Sequence, residues 1–458
     1  MITVATLSSL LDRNEGVALQ MFNEQSSEYY AKLVVYDTGD LRFAGDSYSI
    51  DEMDRQSYSA AAMIYGSLIS DIRSGTGPDV ILGAQGSIEL LDSTYLMDMT
   101  PYLQSESFDA SKYYMNIIEA SKIDGKAFFI PTMFSFMGIA TDSSRLEDGQ
   151  KGFTYEQYAA FVKEQLNGVE PVTQATSRMH FMNLCLENSY TDWFKNDKVD
   201  FDCDEFREMA VFFKDNVPEG VTEGLGARVA EFSFPLFITD KNSGPKRVGD
   251  SLRTFDDGGP EEIYGSQTPA KYAVFFENFS DLQSFAYMNY FGDNMKVVGL
   301  PSDTGTGPSA TICGSFSITA GTPVEDGAYA FLEILLSEEV LTGINYSIPI
   351  NRAAALQKVE KEKKDCLEAY RMYKNIPKSY LENSLQETCR MAGGFFPDSK
   401  TPDIFLETIE NIETVSMCDS SVMMIVTEEI PPYFVGQKDI DSVISIINSR
   451  TQIVFDER

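Results

Sequence analysis

The chain has 458 residues, of which 43% are hydrophobic and 12% aromatic, enough to bury large cores in two or three compact units. Its 70 acidic and 36 basic residues give a formal net charge of −34, which repels phosphate backbones and anionic lipid headgroups and argues against a nucleic-acid partner. No apolar run approaches the roughly 18 residues that a membrane-spanning helix needs.

The first 140 residues alternate predicted strands and helices. Apolar and β-branched runs predict strands at 2–7, 31–37 and 79–86, with a long helix before the third, whose apolar residues repeat at three and four positions. Strands joined by crossover helices form parallel sheets, and such sheets bind ligands beyond the carboxyl ends of their strands. The loops after Leu7 and Leu82 are therefore candidate walls of a binding site.

The segment FFIPTMFSFMGIATD, at 128–142, predicts an apolar strand that is broken at Pro131 and followed by a second strand. A proline between two strands suits a crossing from one lobe to another. We expect the aromatic side chains of Phe134 and Phe136 to be exposed there.

The centre of the chain is more helical, and residues 240–270 have the turn-rich composition of exposed loops. The most aromatic stretch, 271–292, follows. Sugar sites stack an aromatic ring on the apolar face of the sugar and direct polar groups at its hydroxyls. Most of the phenylalanines here are interpreted as ordinary core. Asn278 and Asp281 need polar partners and are candidate ligand contacts.

Catalytic signatures are missing from the sequence. It contains no P-loop, no GxGxxG after a strand, no GxSxG and no HExxH. Every nucleophile-histidine arrangement would have to use His180, the only histidine. A carboxylate-based hydrolase stays open as an alternative, because 70 acidic residues offer many pairs whose distance across a cleft the sequence does not fix.

The cysteines do not have the spacing of a metal site or of a disulfide framework, because no CxxC pair occurs and one histidine cannot supplement them. We expect buried free thiols, no metal and no cofactor. The six cysteines are Cys185, Cys203, Cys313, Cys366, Cys389 and Cys418.

Seven stretches, taken in order, resemble the extracellular solute-binding proteins of carbohydrate-uptake ABC transporters, in particular maltodextrin- and oligosaccharide-binding proteins of Gram-positive bacteria. They are GPDVILG, YLMDMTPYL, DGKAFFIPTMFSFMGIATDSSRL, VVGLPSDTGTGP, SITAGTPVEDGAYAFLEILLSEEV, IPINRAA and EEIPPYFVGQKDIDSVISIINSR. Each stretch is unspecific alone, whereas their order and spacing over almost the whole chain are specific.

The resemblance implies the two-lobe, type II periplasmic-binding-protein-like α/β fold, in which each lobe is a mainly parallel sheet flanked by helices and both lobes close on a ligand in the cleft between them. It places the N-terminal lobe at 1–131 plus about 305–352, the C-terminal lobe at 132–304 plus about 353–458, and crossings near 131, 305 and 352.

The implied function is that of an extracellular receptor without catalytic activity, which binds a sugar or oligosaccharide and delivers it to a membrane permease. Members of the family are monomers, secreted behind a signal peptide and anchored by a lipid-modified cysteine, and we expect the same here. A sensory receptor that docks on a histidine kinase is a further alternative.

The family pattern also implies ligand contacts in several loops, at the start of a helix and in the segment AEFSF. The implied contacts are Ser8, Ser9, Gln85, Gly86, Phe134, Ser135, Arg178 and Phe232. Better-known sugar receptors often use several cleft tryptophans, whereas this chain has one.

His180 and Trp193, the only histidine and the only tryptophan, lie in one predicted helix. Thirteen residues of helix separate them by roughly 20 Å, so they cannot form one constellation. We expect His180 in a first turn that points towards the cleft and Trp193 beyond the far end of the helix, each as a separate candidate contact.

Overall fold

The structure is a computed structural model. It describes residues 1–7, 12–36, 49–173, 176–195, 198–220, 272–344, 346–377, 385, 389–390 and 394–456, with the side chains at 192–195 and 198–199 excepted. The expected loops at 240–270 lie outside these ranges.

The strands are β1 Ile2–Thr6, β2 Ala31–Val35, β3 Val80–Leu82, β4 Ile130–Asp142, β5 Phe153–Thr154, β6 Phe194–Lys195, β7 Lys198–Val199, β8 Ala273–Phe279, β9 Met295–Val298, β10 Pro301–Ser302, β11 Ser309–Ile318, β12 Ile348–Pro349 and β13 Thr414–Val415.

The helices are α1 Arg13–Gln25, α2 Ile50–Ser74, α3 Thr100–Leu103, α4 Met115–Ala120, α5 Tyr155–Gln165, α6 Arg178–Trp193, α7 Asp204–Asn216, α8 Leu282–Met288, α9 Glu325–Leu335, α10 Glu338–Leu341, α11 Arg352–Lys374, α12 Thr401–Glu410, α13 Ser420–Glu429, α14 Pro431–Phe434 and α15 Ile440–Asp456. None of these described helices combines the length and the apolar character that a bilayer crossing requires.

The first lobe is built on a parallel sheet, as predicted. β1 lies between β2 and β3 and pairs parallel with both, and the carboxylate of Asp79 fixes the start of β3 by accepting hydrogen bonds from the amide (2.7 Å) and hydroxyl (2.6 Å) of Thr3. The long helix predicted before β3 is α2. It ends at Gly75, whose φ of 75° is left-handed and favours glycine because the residue has no Cβ.

Two strands run from the first lobe into the second. β4 pairs antiparallel with β11 from Ile130 opposite Phe316 to Met137 opposite Ser309, and the far end of β11 pairs with β3. β12 adds a short third connection beside β4. The sheets of the two lobes are therefore continuous through these strands.

The predicted break at Pro131 is wrong, because β4 continues through it for 13 residues. Pro131 is the second residue of β4 and lies opposite Ser315, a position near the strand start where a missing N–H is tolerated. The irregularity lies in β11 instead, where the register shifts on both sides of Gly314. A Cβ on Gly314 would lie 2.8 Å from side-chain atoms of Met133 and Thr132, so a larger residue at this bulge would force these side chains to shift.

The sheet of the second lobe differs from the mainly parallel one expected. β8 and β9 both pair antiparallel with β4, and among the described residues of this lobe only the short pairs β11–β13 and β5–β10 are parallel. The chain enters this lobe along β4 and must return to the crossing, and β8 and β9 run in that direction. Phe279, Phe285 and Phe405 pack with Phe136 into an aromatic core.

The six cysteines are all unpaired, in agreement with the expectation of free thiols. Their burial differs: Cys185, Cys366 and Cys389 are buried, and Cys203 and Cys418 are partly buried. Cys313 is exposed, contrary to the expectation, because it lies at the bulge of β11, where the regular pairing of that strand is interrupted.

Candidate functional site

The two lobes meet along helix α2. One side of α2 covers the first sheet through the buried Leu68 and Ile69, and the hydroxyl of Tyr65 donates to the carbonyl of Gly83 at 2.8 Å. Its other side packs against α6 and α13. α6 belongs to the second lobe, since the ring of Phe181 contacts rings of α5 and α7. The contact of α2 with α6 therefore joins the two lobes.

Polar side chains from both lobes face each other along this contact, which we call the interlobe seam. Each helix contributes residues at spacings of three and four, which share one helix face. The seam consists of Asp51, Asp54 and Tyr58 from α2, Ser177, His180, Asn183 and Glu187 from the start and body of α6, and Glu277 from β8.

His180 joins the lobes at the centre of the seam. Its Nδ1 lies 2.9 Å from Oδ2 of Asp54, and its Nε2 lies 3.1 Å from Oε2 of Glu277. The side chains of His180 and Asp54 are each 14% exposed, and that of Glu277 is 51% exposed. The amide of Asn183 also donates to Asp54, at 2.8 Å.

The environment of His180 favours its charged form. Burial lowers the pKa of the imidazole, but the charges and hydrogen bonds of Glu277 and Asp54 outweigh burial and raise the pKa well above its ordinary value. The ring then donates from both nitrogens, one bond to each carboxylate. It acts as a positive link between a carboxylate of the first lobe and one of the second.

Two further contacts cross the seam on either side of His180. The Ser177 hydroxyl, which also accepts from the amide of His180 at 3.0 Å, donates to the carboxylate of Asp51. The hydroxyl of Tyr58 donates to Oε1 of Glu187 at 2.7 Å. Burial raises the pKa of Glu187 to about 7, although the bond from Tyr58 lowers it.

The crossing strands form a small polar floor below the seam. Ser135 lies opposite Thr311, and Met137 opposite Ser309, so these side chains share one face of the sheet. Asn188 of α6 covers that face: its Oδ1 accepts a hydrogen bond from the hydroxyl of Ser309 at 2.9 Å.

Cys313 is the exposed residue of this floor. Its Sγ lies 3.6 Å from the hydroxyl oxygen of Ser135, although β11 is irregular at this point. Ser135, one of the implied contacts, is therefore on the cleft side of β4 but is buried.

Gln85 and Gly86, the implied ligand contacts after β3, are each in contact with other residues of the protein. The Gln85 amide donates to the carbonyl of Ile312 at 3.2 Å and accepts from the hydroxyl of Ser315 at 2.5 Å, so both its ends are held by β11. A Cβ on Gly86 would lie 2.2 Å from the hydroxyl oxygen of Tyr65, which explains the glycine. Both residues shape the loop beside the seam.

The expectation that Phe134 and Phe136 are exposed is wrong. Both rings are fully buried, because β4 is covered on both faces and alternate residues of a strand point to opposite faces. The Phe134 ring contacts Tyr114 at 5.9 Å between centroids. It therefore lies on the face opposite to Ser135.

The remaining predicted residues lie at different distances from the seam. Arg178 lies over the ring of Phe434, 5.3 Å from its centroid, and burial lowers its pKa; its Nε has no hydrogen-bond partner within the described ranges. Asp281 caps α8 by accepting from the amide of Ser284 at 2.6 Å. Asn278 is exposed beside Glu277. Ser8, Ser9 and Phe232, and the side chain of Trp193, lie outside what the structure describes.

Sequence reasoning placed His180 near the cleft but missed its partners. Asp54, Tyr58 and Glu187 lie on the polar sides of two helices, where a sequence pattern predicts solvent contact, and Glu277 lies within the aromatic stretch. Their spacing of three and four on each helix was the available signal. It does not reveal that the two polar faces meet.

The chemistry of the seam is that of hydrogen bonding and charge. No group of three or more histidine, cysteine, aspartate or glutamate residues within the described part of the chain could hold a metal ion. A cavity of about 350 Å³ lies elsewhere, at the outer end of β4, and its lining includes Asp142, Glu147 and Lys296. The predicted contacts do not converge on that cavity.

The sequence matches no protein-family model and no curated protein sequence. The structure is similar to that of a candidate oligosaccharide periplasmic-binding protein from Synechococcus sp. MITs9220, with a TM-score of 0.51 and 10% identity over 100% of both chains.

Two other similar structures have lower scores. An ABC substrate-binding protein from Listeria monocytogenes, in complex with cycloalternan, has a TM-score of 0.47 and 12% identity over 99% of this chain and 98% of its own. A cyclic α-maltosyl-1,6-maltose binding protein from Arthrobacter globiformis has a TM-score of 0.46 and 13% identity over 100% and 99%. At such identities the likeness to the Synechococcus protein shows the fold alone.

Proposed function

We propose that this chain, which has the two-lobe periplasmic-binding-protein-like α/β fold, is a solute receptor that holds one small ligand between its lobes. The observation that carries the proposal is the seam: polar side chains from both lobes meet above strands that run unbroken from one lobe to the other. Strands of this kind can bend as hinges while each lobe moves as a rigid body. We propose that the lobes divide at the crossings expected near 131, 305 and 352, and the strands β4, β11 and β12 support this division.

The proposed ligand is a sugar or oligosaccharide. Carboxylate and amide oxygens accept hydrogen bonds from sugar hydroxyls, and the seam offers such groups in Asp51, Asp54 and Asn183. The resemblance of seven sequence stretches to carbohydrate receptors supports the same class, and so does the Synechococcus protein with the same fold, which is itself a candidate oligosaccharide binder.

The rest of the proposal concerns the setting of the receptor. It acts outside the cell as a lipid-anchored monomer, binds without catalysing a reaction, and passes its solute to the permease of an ABC transporter. The acidic surface, with a formal net charge of −34, suits a protein that does not bind phosphate backbones.

A thermal-shift and calorimetric screen over linear and cyclic oligosaccharides tests this proposal. A ligand present at 100 times its Kd stabilises the folded protein by about 2.7 kcal/mol, and we expect at least one sugar to raise the Tm by a few degrees. Each sugar that binds is then recovered and analysed for cleavage. Stabilisation by no sugar would contradict the carbohydrate assignment, and cleavage of a bound sugar would show a hydrolase instead.

A further inference from the structure

The contacts across the seam depend on protonation. Glu187 of the second lobe accepts from Tyr58 of the first at 2.7 Å, and His180 lies 2.9 Å from Asp54. Titratable or charged groups face Glu187 and its neighbours from α2, α6, β8 and the segment before α13. They are Asp51, Asp54, Arg55 and Tyr58 from α2, His180 from α6, Glu277 from β8, and Cys418 from the segment before α13.

Closure brings these carboxylates together. Asp51 and Asp54 belong to the first lobe, whereas Glu187 and Glu277 belong to the second, and the positive groups that face them are the imidazole of His180 and the guanidinium of Arg55. Carboxylates that share a poorly solvated site cannot all remain charged without a large cost. When the lobes separate, water reaches both sides of the seam again and the repulsion falls.

We propose that closing of the two lobes takes up a proton at Glu187, so that the interlobe seam is a latch that acidic conditions close and alkaline conditions open. The proposal rests on the receptor function in one respect, that the lobes open and close. It adds that protons bias this equilibrium without any solute.

The direction of the effect follows from Glu187. Burial raises its pKa from the ordinary 4.5 to about 7 when the lobes are together, so the closed state binds the proton more tightly. This contribution to closure is complete below about pH 4.5 and is lost as the pH rises through about 7. Between pH 6 and 8 it lowers the ratio of closed to open molecules about tenfold.

His180 also bridges the seam, but part of its environment does not change on closure. Burial lowers its pKa, but Glu277 and Asp54 outweigh burial and raise the pKa well above its ordinary value of 6.5. Glu277 belongs to the same lobe as His180 and stays beside it when the lobes separate, whereas Asp54 belongs to the other lobe. The pH dependence of closure is therefore assigned to Glu187.

Small-angle X-ray scattering of the ligand-free protein at pH 6, 7 and 8 tests the latch through the radius of gyration. We expect the wild type to expand as the pH rises. Glu187→Gln keeps an acceptor for Tyr58 but has no charge, so it should stay more closed at pH 8 and lose most of the dependence. Glu156→Gln, on the exposed side of α5, is the matched control and should behave as the wild type.

Tyr58→Phe provides a second variant that leaves Glu187 in place. It removes the hydroxyl that favours the charged carboxylate, so the midpoint of the expansion should move to higher pH. If circular dichroism shows that Glu187→Gln does not fold, the Tyr58→Phe variant tests the latch in its place. An unchanged radius in the wild type, or an unchanged midpoint in Tyr58→Phe, would overturn the latch.

The same measurements with a sugar separate the latch from the proposed receptor function. Closure by a sugar equally at pH 6 and 8 would refute the latch while supporting the receptor. A pH-dependent radius together with binding of no sugar would support the latch while contradicting the carbohydrate assignment.

Discussion

Replacement of Asp54 by alanine is the sharpest test of the seam as the contact that holds the lobes together. Its carboxylate accepts hydrogen bonds from His180 at 2.9 Å and from the amide of Asn183 at 2.8 Å. Among the described residues, no other side chain of the first lobe bonds to the side chains of His180 and Asn183. Without it, His180 keeps a bond only to the half-exposed Glu277. The buried Asn183, whose Oδ1 already has no partner among the described residues, loses its donor contact as well.

The expected loss can be worked from these contacts. A hydrogen bond to a charged group contributes about 1.5–3 kcal/mol, and a buried neutral donor left unpaired costs about 1–3 kcal/mol. The sum is about 2.5–6 kcal/mol, but opening of the lobes lets water satisfy both groups. The loss therefore falls on closure rather than on folding, and about 3 kcal/mol corresponds to roughly a hundredfold lower ratio of closed to open molecules.

The assay combines scattering with calorimetry. At pH 6, where the wild type is expected to be closed, Asp54→Ala should expand, while each lobe keeps its helical signal in circular dichroism. Ligand binding weakens by the fraction of closed molecules that is lost. Asp54→Asn, which keeps an acceptor for one donor, should lie between the two. Asp365→Ala, exposed on α11, is the control.

Two results would refute this reasoning. If Asp54→Ala has the radius of gyration and the ligand affinity of the wild type, the seam does not hold the lobes. If it unfolds cooperatively with a loss of several kcal/mol, Asp54 stabilises the fold itself, and α2 and α6 belong to one rigid unit.

Three further predictions concern the loop beside the seam, the first sheet and the floor. Gly86→Ala should lower the unfolding free energy by about 1–3 kcal/mol, as overpacking does, because the new Cβ would lie 2.2 Å from the hydroxyl oxygen of Tyr65. Chemical denaturation measures this loss, and an unchanged denaturation midpoint would contradict the clash. Asp79→Ala should cost about 3–6 kcal/mol in the same assay, since two hydrogen bonds from Thr3 to a charged group are lost, together with the bond from the hydroxyl of Thr322. Asp79→Asn is expected to lose less, and equal losses would show that the charge of Asp79 is irrelevant. Cys313 should be the first of the six thiols to react with a disulfide reagent under native conditions, because it is exposed. Its reaction should appear as a fast kinetic phase that Cys313→Ser removes. A fast phase that remains in this variant would show that another thiol is the exposed one.

Local patterns were sufficient for the elements of the first lobe. Apolar runs predicted β1, β2 and β3, and the repeat of apolar residues at three and four positions predicted the helix α2, because both patterns depend on residues close together in the chain. The order of motifs carried the resemblance to solute-binding proteins, and that resemblance implied two lobes with three connections. The antiparallel strands of the second lobe did not follow, since strand direction depends on how the chain returns to the crossing.

The candidate site was predicted only in part, and His180 shows why. Its rarity and its position in the first turn of α6 indicated a residue near the cleft, whereas Glu277 lies 97 positions away and Asp54 lies 126 positions away. The prediction for Phe134 was wrong in the opposite sense. Its sequence neighbours suggested an exposed ring, but the ring is buried because β4 is covered on both faces.

The sequence by itself determined the α/β character, the strands and the long helix of the first lobe, and the absence of familiar catalytic motifs, because each of these depends on periodicity or on residues close together in the chain. The two lobes were implied by the resemblance to solute-binding proteins. Only the tertiary structure decided that the polar faces of α2 and α6 meet, that His180 links carboxylates of both lobes, and that Glu187 is covered by Tyr58. Those contacts depend on how the crossing strands orient one lobe against the other, and no local pattern carries that orientation.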